Sequence, residues 1–137
     1  MREPVYTRVK TLRAVNHTAV VANGDTDGTA IGLDQSGVDF RSVMFVLMVG
    51  TRTDGTYTAV PQESANGSTG WTAVPAERLL GSAAVAAANG VGEIGVIPDP
   101  SSSPFVRLRV TATTVTTGAV ISAVALLGEP SGYPVWR

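Results

Sequence analysis

The sequence predicts an all-β fold, a single β-sandwich or jelly-roll-like domain with extended N- and C-terminal arms. In residues 105–111, apolar and polar side chains alternate with the period of two that is typical of a half-buried strand. Residues 119–127 are apolar on both faces apart from Ser122, as in a strand that is covered on both sides. Gly118 lies between these segments, so we predict that they form one β-hairpin. Similar short strands separated by turn residues occupy most of the chain, which is typical of sandwiches and jelly rolls.

The first third of the chain contains an arm and the strongest candidate for a core strand. Residues 1–10 carry mixed charges and Pro4 without a sustained period, and we predict that they form an N-terminal arm. Residues 43–49 are the most apolar run, and their length between Ser42 and Gly50 is that of a strand rather than a helix. We interpret this run as the central core strand. The elements predicted between the arm and this strand are a strand (11–21), a turn cluster (22–28) and a short strand (29–33).

Two similar segments, residues 57–63 and 71–77, follow a predicted hairpin turn at residues 53–55. We interpret them as two strands that each carry an aromatic residue and end at a proline, Pro61 in the first and Pro75 in the second. Because proline cannot donate a hydrogen bond to a neighbouring strand, both strand ends are expected at a sheet edge or rim. The remaining predicted elements are one helical turn (76–80), a strand (93–97), a surface loop (98–104), the hairpin (105–127) and a C-terminal tail (128–137).

Length and composition indicate one domain that buries surface against partners. A chain of 137 residues can form one core and is too short for two, so we assign the domain to residues 11–127, between the two arms. Only 15% of the residues are charged, against about 25% in an average globular protein. Nine of the ten basic residues are arginine, which is favoured at interfaces where lysine is depleted. A GC-rich genome would produce the same arginine bias, so both explanations stay open.

Charge and hydropathy exclude several classes of partner. The formal net charge of −1 argues against a protein that binds nucleic acid or a membrane surface through bulk charge. No run of about 18 apolar residues occurs, and the charged N-terminus lacks the apolar segment of a secretory signal. We therefore expect a soluble protein that is made in the cytoplasm. The absence of cysteine excludes disulfides, a thiolate nucleophile and a zinc site built on sulfur.

The sequence contains no recognisable pattern of catalytic residues. His17 is the only histidine, it lies inside a predicted strand, and no G-x-S-x-G motif accompanies it. We interpret His17 as a structural or surface residue. Gly24, Gly28 and Gly32 do not form a dinucleotide-binding fingerprint, because no helix is predicted after them. We therefore expect a protein without enzymatic activity, catalytic residues or a cofactor.

Residues 23–34 have the spacing of a calcium-binding loop. Loop positions 1, 3, 5 and 12 carry oxygen-bearing side chains, those of Asn23, Asp25, Asp27 and Asp34. However, Asp34 is shorter than the usual glutamate at the last position, and the flanking segments do not look like paired helices. We interpret the segment as a turn between strands, which requires the same residue types. We therefore predict that the protein binds no metal ion. If it did bind a cation, these four residues would be the candidate site.

The few aromatic residues leave two interpretations open. Carbohydrate-binding β-sandwiches stack sugars on aromatic side chains, and the candidates for such a role here are Tyr6, Tyr57, Trp71, Tyr133 and Trp136. Aromatic residues make up only 6% of the chain and their spacing shows no platform, so we favour packing in the core or at an interface.

Several segments within residues 11–128 carry a resemblance to a known family. They are the apolar strand at 42–50, the turn and strand at 54–58, residues 62–64, Trp71, and the hairpin that carries Arg107 and Arg109 and ends at residues 127–128. In these features the chain resembles the capsid decoration, or cement, proteins, which are small β-sandwich proteins of tailed bacteriophages.

The resemblance implies a non-enzymatic protein that lies on the outside of the phage head, often as a homotrimer, and bridges subunits of the major capsid protein. Its location would be the virion, after synthesis in the cytoplasm of a bacterial host. The residues expected to make the contacts are Tyr6, Arg8, Arg107, Arg109, Tyr133 and Trp136. Two alternatives stay open: a tail-tube, tail-terminator or connector component, and a carbohydrate-binding module.

Overall fold

Strands make up most of the structure, a computed structural model that describes residues 5–131. The helical elements of this part are α1 (Val5–Arg8) and a 3-10 helix (Ala76–Arg78), neither of them long enough to cross a membrane. The strands, in chain order, are β1 (Lys10–Val20), β2 (Gly24–Asp27), β3 (Ile31–Gly32), β4 (Asp34–Gln35), β5 (Val38–Arg52), β6 (Thr56–Ser64), β7 (Thr72–Ala73), β8 (Leu79–Leu80), β9 (Ala84–Val85), β10 (Val91–Val96), β11 (Phe105–Thr113) and β12 (Ala119–Pro130).

These strands form two antiparallel sheets that pack face to face. In the first sheet β1, β12, β5, β10 and β8 lie side by side, and β4 pairs with one end of β5. In the second sheet the order is β2, β11, β6 and β7, with β3 beside β11 and β9 beside β6. The chain changes sheet between β1 and β2, between β3 and β4, between β5 and β6, and at every connection from β7 to β12. The resulting strand orders in the two sheets are those of a jelly roll. The predicted fold class is confirmed.

One apolar layer joins the two sheets. Alternate side chains of the long strands point into this layer and are buried, as the period of two along a strand requires. They include Val43, Phe45, Leu47 and Val49 on β5, Val106, Leu108 and Val110 on β11, and Ile121, Ala123, Ala125 and Leu127 on β12. The predicted core strand at residues 43–49 is confirmed, and β5 extends beyond it at both ends.

Both predicted hairpins are wrong, because each of their turns connects the two sheets. β5 pairs with β12 in the first sheet, whereas β6 pairs with β11 in the second. The chain therefore forms two arches at the same end of the sandwich, one at residues 53–55 and one at residues 114–118. Glycine and aspartate are found both in hairpins and in arches. The sequence therefore predicts the two turns correctly but does not predict which strands pair with each other.

Asp54 joins the two arches. Its carboxylate accepts hydrogen bonds from the backbone N–H groups of Thr116 (3.1 Å), Thr117 (3.1 and 3.2 Å) and Gly118 (2.8 Å). The Thr53 N–H in turn donates to the Gly118 carbonyl at 2.9 Å. These hydrogen bonds, first those from Thr117 and Thr116, hold the pKa of Asp54 below its usual value.

We expect the stability that Asp54 contributes to depend on pH. A carboxylate with a lowered pKa in the folded state contributes fully above its unfolded pKa, about 3.9, and loses that contribution as the pH falls through the folded pKa. The variant Asp54→Asn should therefore melt at a lower temperature than the parent at pH 7, and the difference should shrink below about pH 4. Thermal melts of both proteins across this range test the expectation, and a difference that is the same at every pH would contradict it.

Residues 24–27 form strand β2 instead of the predicted turn. β2 pairs with β11, so that Asp27 lies opposite Arg109 and Asp25 opposite Thr111. Charged residues are common on edge strands because they prevent pairing with a strand of another chain. The two aspartates of β2 agree with its position at the edge of the sheet. The aspartates thus face cross-strand partners that lie more than 80 residues away in the sequence.

Pro61 lies inside the second sheet and not at an edge, whereas Pro75 follows the short edge strand β7 as predicted. The Ala59 N–H donates to the Ala83 carbonyl at 2.8 Å, and Pro61, two residues further on, directs its nitrogen to the same side. On that side β9 pairs with residues 57–58 and β7 with residues 62–63. The proline nitrogen therefore faces the gap between two short strands, where no hydrogen bond is lost.

The sandwich includes more of both chain ends than predicted. β1 begins at Lys10, and β12 continues beyond residue 127 to Pro130. Ser131 is tied to β5, because its N–H donates to the Asp39 carbonyl at 2.8 Å and its Oγ accepts from the Asp39 N–H at 3.0 Å. Residues 5–9 of the predicted N-terminal arm form α1 and its link to β1, and residues 1–4 and 132–137 lie outside the described residues.

Candidate functional site

Arg107 and Arg109 lie on the outer face of the second sheet, and β2 supplies their main partners. Arg109 donates from Nε to Asp27 Oδ1 at 2.6 Å and from Nη2 to Oδ2 at 3.2 Å, a two-point contact that fixes both side chains. Nη1 of Arg109 also lies 3.4 Å from Asp25 Oδ2, and Nη2 of Arg107 lies 3.5 Å from Asp27 Oδ2. The hydrogen bond from Arg109 lowers the pKa of Asp27 below its usual value.

Arg107 has two further partners on this face. Its Nε donates to Gln62 Oε1 at 2.8 Å, and its guanidinium lies 4.5 Å from the centre of the Trp71 ring. Arg107 and Arg109, two of the three arginines expected at an interface, are therefore already paired within the chain. A partner that bound to them would have to compete with these contacts.

The structure does not bring the four residues of the candidate cation site together. Asp25 and Asp27 are engaged by β11, and Asn23 Oδ1 accepts from the Val115 N–H at 2.8 Å. Asp34 belongs to a different hairpin, β4 with β5, where its Oδ1 accepts from the Gly37 N–H at 2.9 Å. Within residues 5–131 no group of three or more histidine, aspartate or glutamate side chains is placed to hold a metal ion.

Glu63 and Arg78 form a contact that the sequence pattern did not reveal. Arg78 donates from Nη2 to Glu63 Oε1 at 2.5 Å and from Nη1 to the Ile97 carbonyl at 3.0 Å. Glu63 is nearly buried, and its Oε2 has no hydrogen-bond partner among the described residues. The pair ties the 3-10 helix to β6 and to the end of β10, which is a structural role.

The outer face of the first sheet is apolar, in contrast to that of the second. On β5 and β12 the side chains that alternate with the buried ones point away from the core, and six of them are apolar and half-buried: Met44, Val46, Met48, Val120, Val124 and Leu126. Leu80 on β8 and Val91 on β10 extend this patch and are exposed. We refer to these eight residues as the apolar face.

Cross-strand pairing arranges the centre of the apolar face as a row across four strands. Val124 of β12 lies opposite Val46 of β5. On the outer strands, Arg13 of β1 lies opposite Val124, and Glu93 of β10 lies opposite Val46. The row therefore carries a positive charge at one end, a negative charge at the other, and two valines between them.

Two grooves cross the apolar face at the end where the chain begins. The first, of about 620 Å³, lies between α1 and the sheet and is lined by Tyr6, Met44 and Leu126. The second, of about 530 Å³, lies over β5, β10 and β8 beside Leu80 and Gly95. α1 therefore forms a ridge over one side of the apolar face, and a groove lies on the other side.

The remaining predicted site residues divide between this surface and the undescribed tail. Tyr6 and Arg8 are exposed on α1, at the margin of the apolar face. His17 is exposed at the opposite end of the same face, beside Met48 and Ser122, as expected of a surface histidine. Tyr133 and Trp136 lie outside the described residues.

A sequence signal for the apolar face was present. Residues 43–49 and 119–127 are apolar on both sides of the strand, which predicts that both sides are covered. The structure fully covers only the inner side of β5 and β12. On the outer side α1 lies over part of β12, and the rest of the apolar face has no covering element within residues 5–131.

Comparisons with known proteins do not identify a family. No protein-family model matches this chain, and no curated protein matches it in sequence. Among solved structures, the chain is similar to the Clostridium thermocellum N-terminal endo-1,4-beta-D-xylanase 10B, whose CBM22-1 and GH10 modules were solved in complex with xylohexaose. The identity is 11% and the TM-score 0.41 over 91% of this chain and 30% of that chain. At this level the similarity carries no functional argument.

Proposed function

We propose that this protein is a non-enzymatic structural component of a tailed-bacteriophage virion, a capsid decoration protein that binds the outer surface of the head and bridges major capsid subunits. The resemblance within residues 11–128 indicates the class of protein. The apolar face is the observation that supports the proposal most strongly, because contiguous apolar surface is typical of faces that are buried in assemblies.

The composition of the apolar face is that of an interface. An antiparallel sheet with one face in water alternates apolar and polar residues, and the two central strands of the first sheet depart from this pattern. Contiguous apolar patches on a protein surface mark contact sites. The charges of Arg13 and Glu93 stand at the margins rather than at the centre, as in the polar rim of an interface.

The rest of the sandwich is compatible with a bridging role, which requires a rigid body. Asp54 ties the two arches together through backbone hydrogen bonds. On the opposite side, Arg109 and Asp27 lock β2 to β11. Contacts to neighbouring subunits, which include other copies of this chain as well as the capsid protein, would then come from the apolar face and from the two chain ends.

The alternatives make different demands on the molecule. A tail-tube, tail-terminator or connector component would bury the same apolar face within a ring. A carbohydrate-binding module would need a platform of several exposed aromatic rings. Of the aromatic candidates within residues 5–131, Tyr6 is exposed, whereas the Arg107 guanidinium covers one face of Trp71 and Tyr57 is fully buried. One exposed ring does not form such a platform.

Labelling of native particles tests the proposal. A peptide tag inserted in the exposed loop at residues 101–102 leaves both chain ends free. The tagged copy would be expressed in the host during growth of the phage that encodes the protein. Gold-labelled antibody against the tag, viewed by negative-stain electron microscopy, should decorate the whole head. Label confined to the tail or its junction with the head would favour the tail alternative, and particles without label would contradict a virion protein.

The same experiment measures the contribution of the chain ends. Removal of residues 132–137 or of residues 1–9 leaves every strand intact, whereas removal from residue 128 onward would delete part of β12. Tyrosine, tryptophan and arginine carry much of the energy of protein interfaces, so we expect both shortened proteins to fold and to label particles more weakly. If both label as strongly as the full chain, the ends do not contribute to attachment.

A further inference from the structure

The charged ends of the central row have no ion-pair partners within the described chain. The Arg13 side chain makes one long hydrogen bond, from Nη1 to Asn16 Oδ1 at 3.5 Å. The Glu93 carboxylate accepts no hydrogen bond from another group within residues 5–131. The two side chains stand three strand spacings apart, roughly 14 Å, and cannot reach each other. Each charge is therefore available to a partner that approaches the apolar face.

Rotation about one axis makes this row complementary to itself. The axis lies parallel to the strands, above the boundary between β12 and β5. A half-turn about it places a second copy face to face with the first and brings β1 of one copy over β10 of the other. Val46 then faces Val124 of the second copy, and each Arg13 faces a Glu93.

We propose that the apolar face binds a second copy of this chain in a two-fold symmetric pair, in which Arg13 of each copy lies opposite Glu93 of the other. Because the axis runs along the strands, the two contacting sheets keep nearly the same strand direction. This is the aligned arrangement of packed sheets, which lie about 10 Å apart. A two-fold axis perpendicular to the strands would instead place Arg13 opposite Arg13 and is disfavoured by charge.

The shape of the face at its other end agrees with the same axis. α1 lies over β12 and carries Val5 and Tyr6, which are 73% and 70% exposed. The half-turn exchanges β12 with β5, so it places this ridge over β5 of the second copy, at the margin of the groove beside Gly95. That groove is bordered by Leu80, which is 59% exposed, and also by the charged residues Arg41, Glu93 and Glu129. One rotation therefore matches both the charges and the ridge with the groove.

The proposed dimer differs from the homotrimer that the resemblance implies. The proposal of a dimer does not depend on the proposed role in the virion. An isologous contact uses each residue twice, so one substitution changes two contacts. This property makes the pair sensitive to single charge reversals, and purified protein without phage particles suffices for the test.

Sedimentation equilibrium of the full chain over a range of concentrations should give a dimer. Arg13→Glu or Glu93→Arg alone should raise the dimer dissociation constant by about tenfold or more, because each creates two like-charge contacts. The double reversal, Arg13→Glu with Glu93→Arg, should restore most of the affinity. The reversal Glu77→Arg, on the 3-10 helix outside the apolar face, should leave the dissociation constant unchanged.

A second pair of variants tests the apolar centre. Val124→Asp should weaken the dimer by about a hundredfold, because it would bury two carboxylates at the centre of the contact, and each would compete with Glu93 for Arg13. Val60→Asp is the matched control: Val60 is also half-buried on an outer face and opposite an arginine, Arg109, but it lies on the second sheet. Circular dichroism would verify that both fold. A monomer at all concentrations, a trimer, or a dimer indifferent to Val124→Asp and to the charge reversals would overturn the proposal.

Discussion

Replacement of Phe45 by alanine is expected to lower the free energy of unfolding by about 3–5 kcal/mol. Phe45 is fully buried on β5, where Ala125 of β12 and Ile94 of β10 lie opposite it. The small Ala125 on one side cannot fill the space that the ring leaves. Since a domain of this kind unfolds at a total cost of about 5–15 kcal/mol, the loss should be visible as a large shift of the urea midpoint.

Phe105→Ala is the matched control for this prediction. Phe105 is half-buried at the start of β11, and its ring covers the backbone at Gly67. Because less of the ring is removed from water there, we expect a loss of about 1–2 kcal/mol. Both free energies of unfolding should be measured at low protein concentration, so that self-association does not add to the stability. Equal losses in the two variants would contradict the position of Phe45 at the centre of the core.

Replacement of Gly118 by alanine is expected to destabilise the protein by about 3 kcal/mol or more. Gly118 has a φ of +103°, and a Cβ atom there would lie 1.8 Å from the Val20 carbonyl oxygen at the end of β1. Its N–H is bound to Asp54 and its carbonyl to the Thr53 N–H, so the backbone cannot move aside without breaking the link between the arches.

Gly37→Ala separates the two causes of this effect. Gly37 also has a positive φ, +83°, but a Cβ atom there would contact nothing within 4 Å. We expect a loss of about 1 kcal/mol from the backbone conformation alone. If Gly118→Ala were no more destabilising than Gly37→Ala in thermal or urea unfolding, the tight packing of the second arch against β1 would be refuted.

The location of the long strands β5, β11 and β12 and their inward sides could be predicted because both depend on neighbouring residues. The alternation along residues 105–111 and the apolar run at residues 43–49 indicate a strand whatever it pairs with. The pairing could not be predicted in this way. β11 and β12 are adjacent in sequence yet lie in different sheets, since their hydrogen-bond partners are β6 and β5. A glycine-containing turn permits both outcomes.

The candidate cation site illustrates the same limit. Asp25 and Asp27 have the spacing of metal ligands along the chain, and their composition was interpreted as that of a turn. Their partners, Thr111 and Arg109, come from a strand that is far away in the sequence. The register of β2 on β11 therefore places these carboxylates in cross-strand contacts. It also engages Arg109, which was expected to contact a partner.

The apolar character of residues 43–49 and 119–127 on both sides of the strand, apart from Ser122, can be seen in the sequence because each residue type is given directly. The tertiary fold makes β5 and β12 neighbours at the centre of one sheet, turns one of their sides to the core, and places Arg13 and Glu93 at the ends of the row on the other side. The reason is physical: strand register is established by hydrogen bonds between segments that are distant in the chain, and the local period of two specifies only which residues share a side.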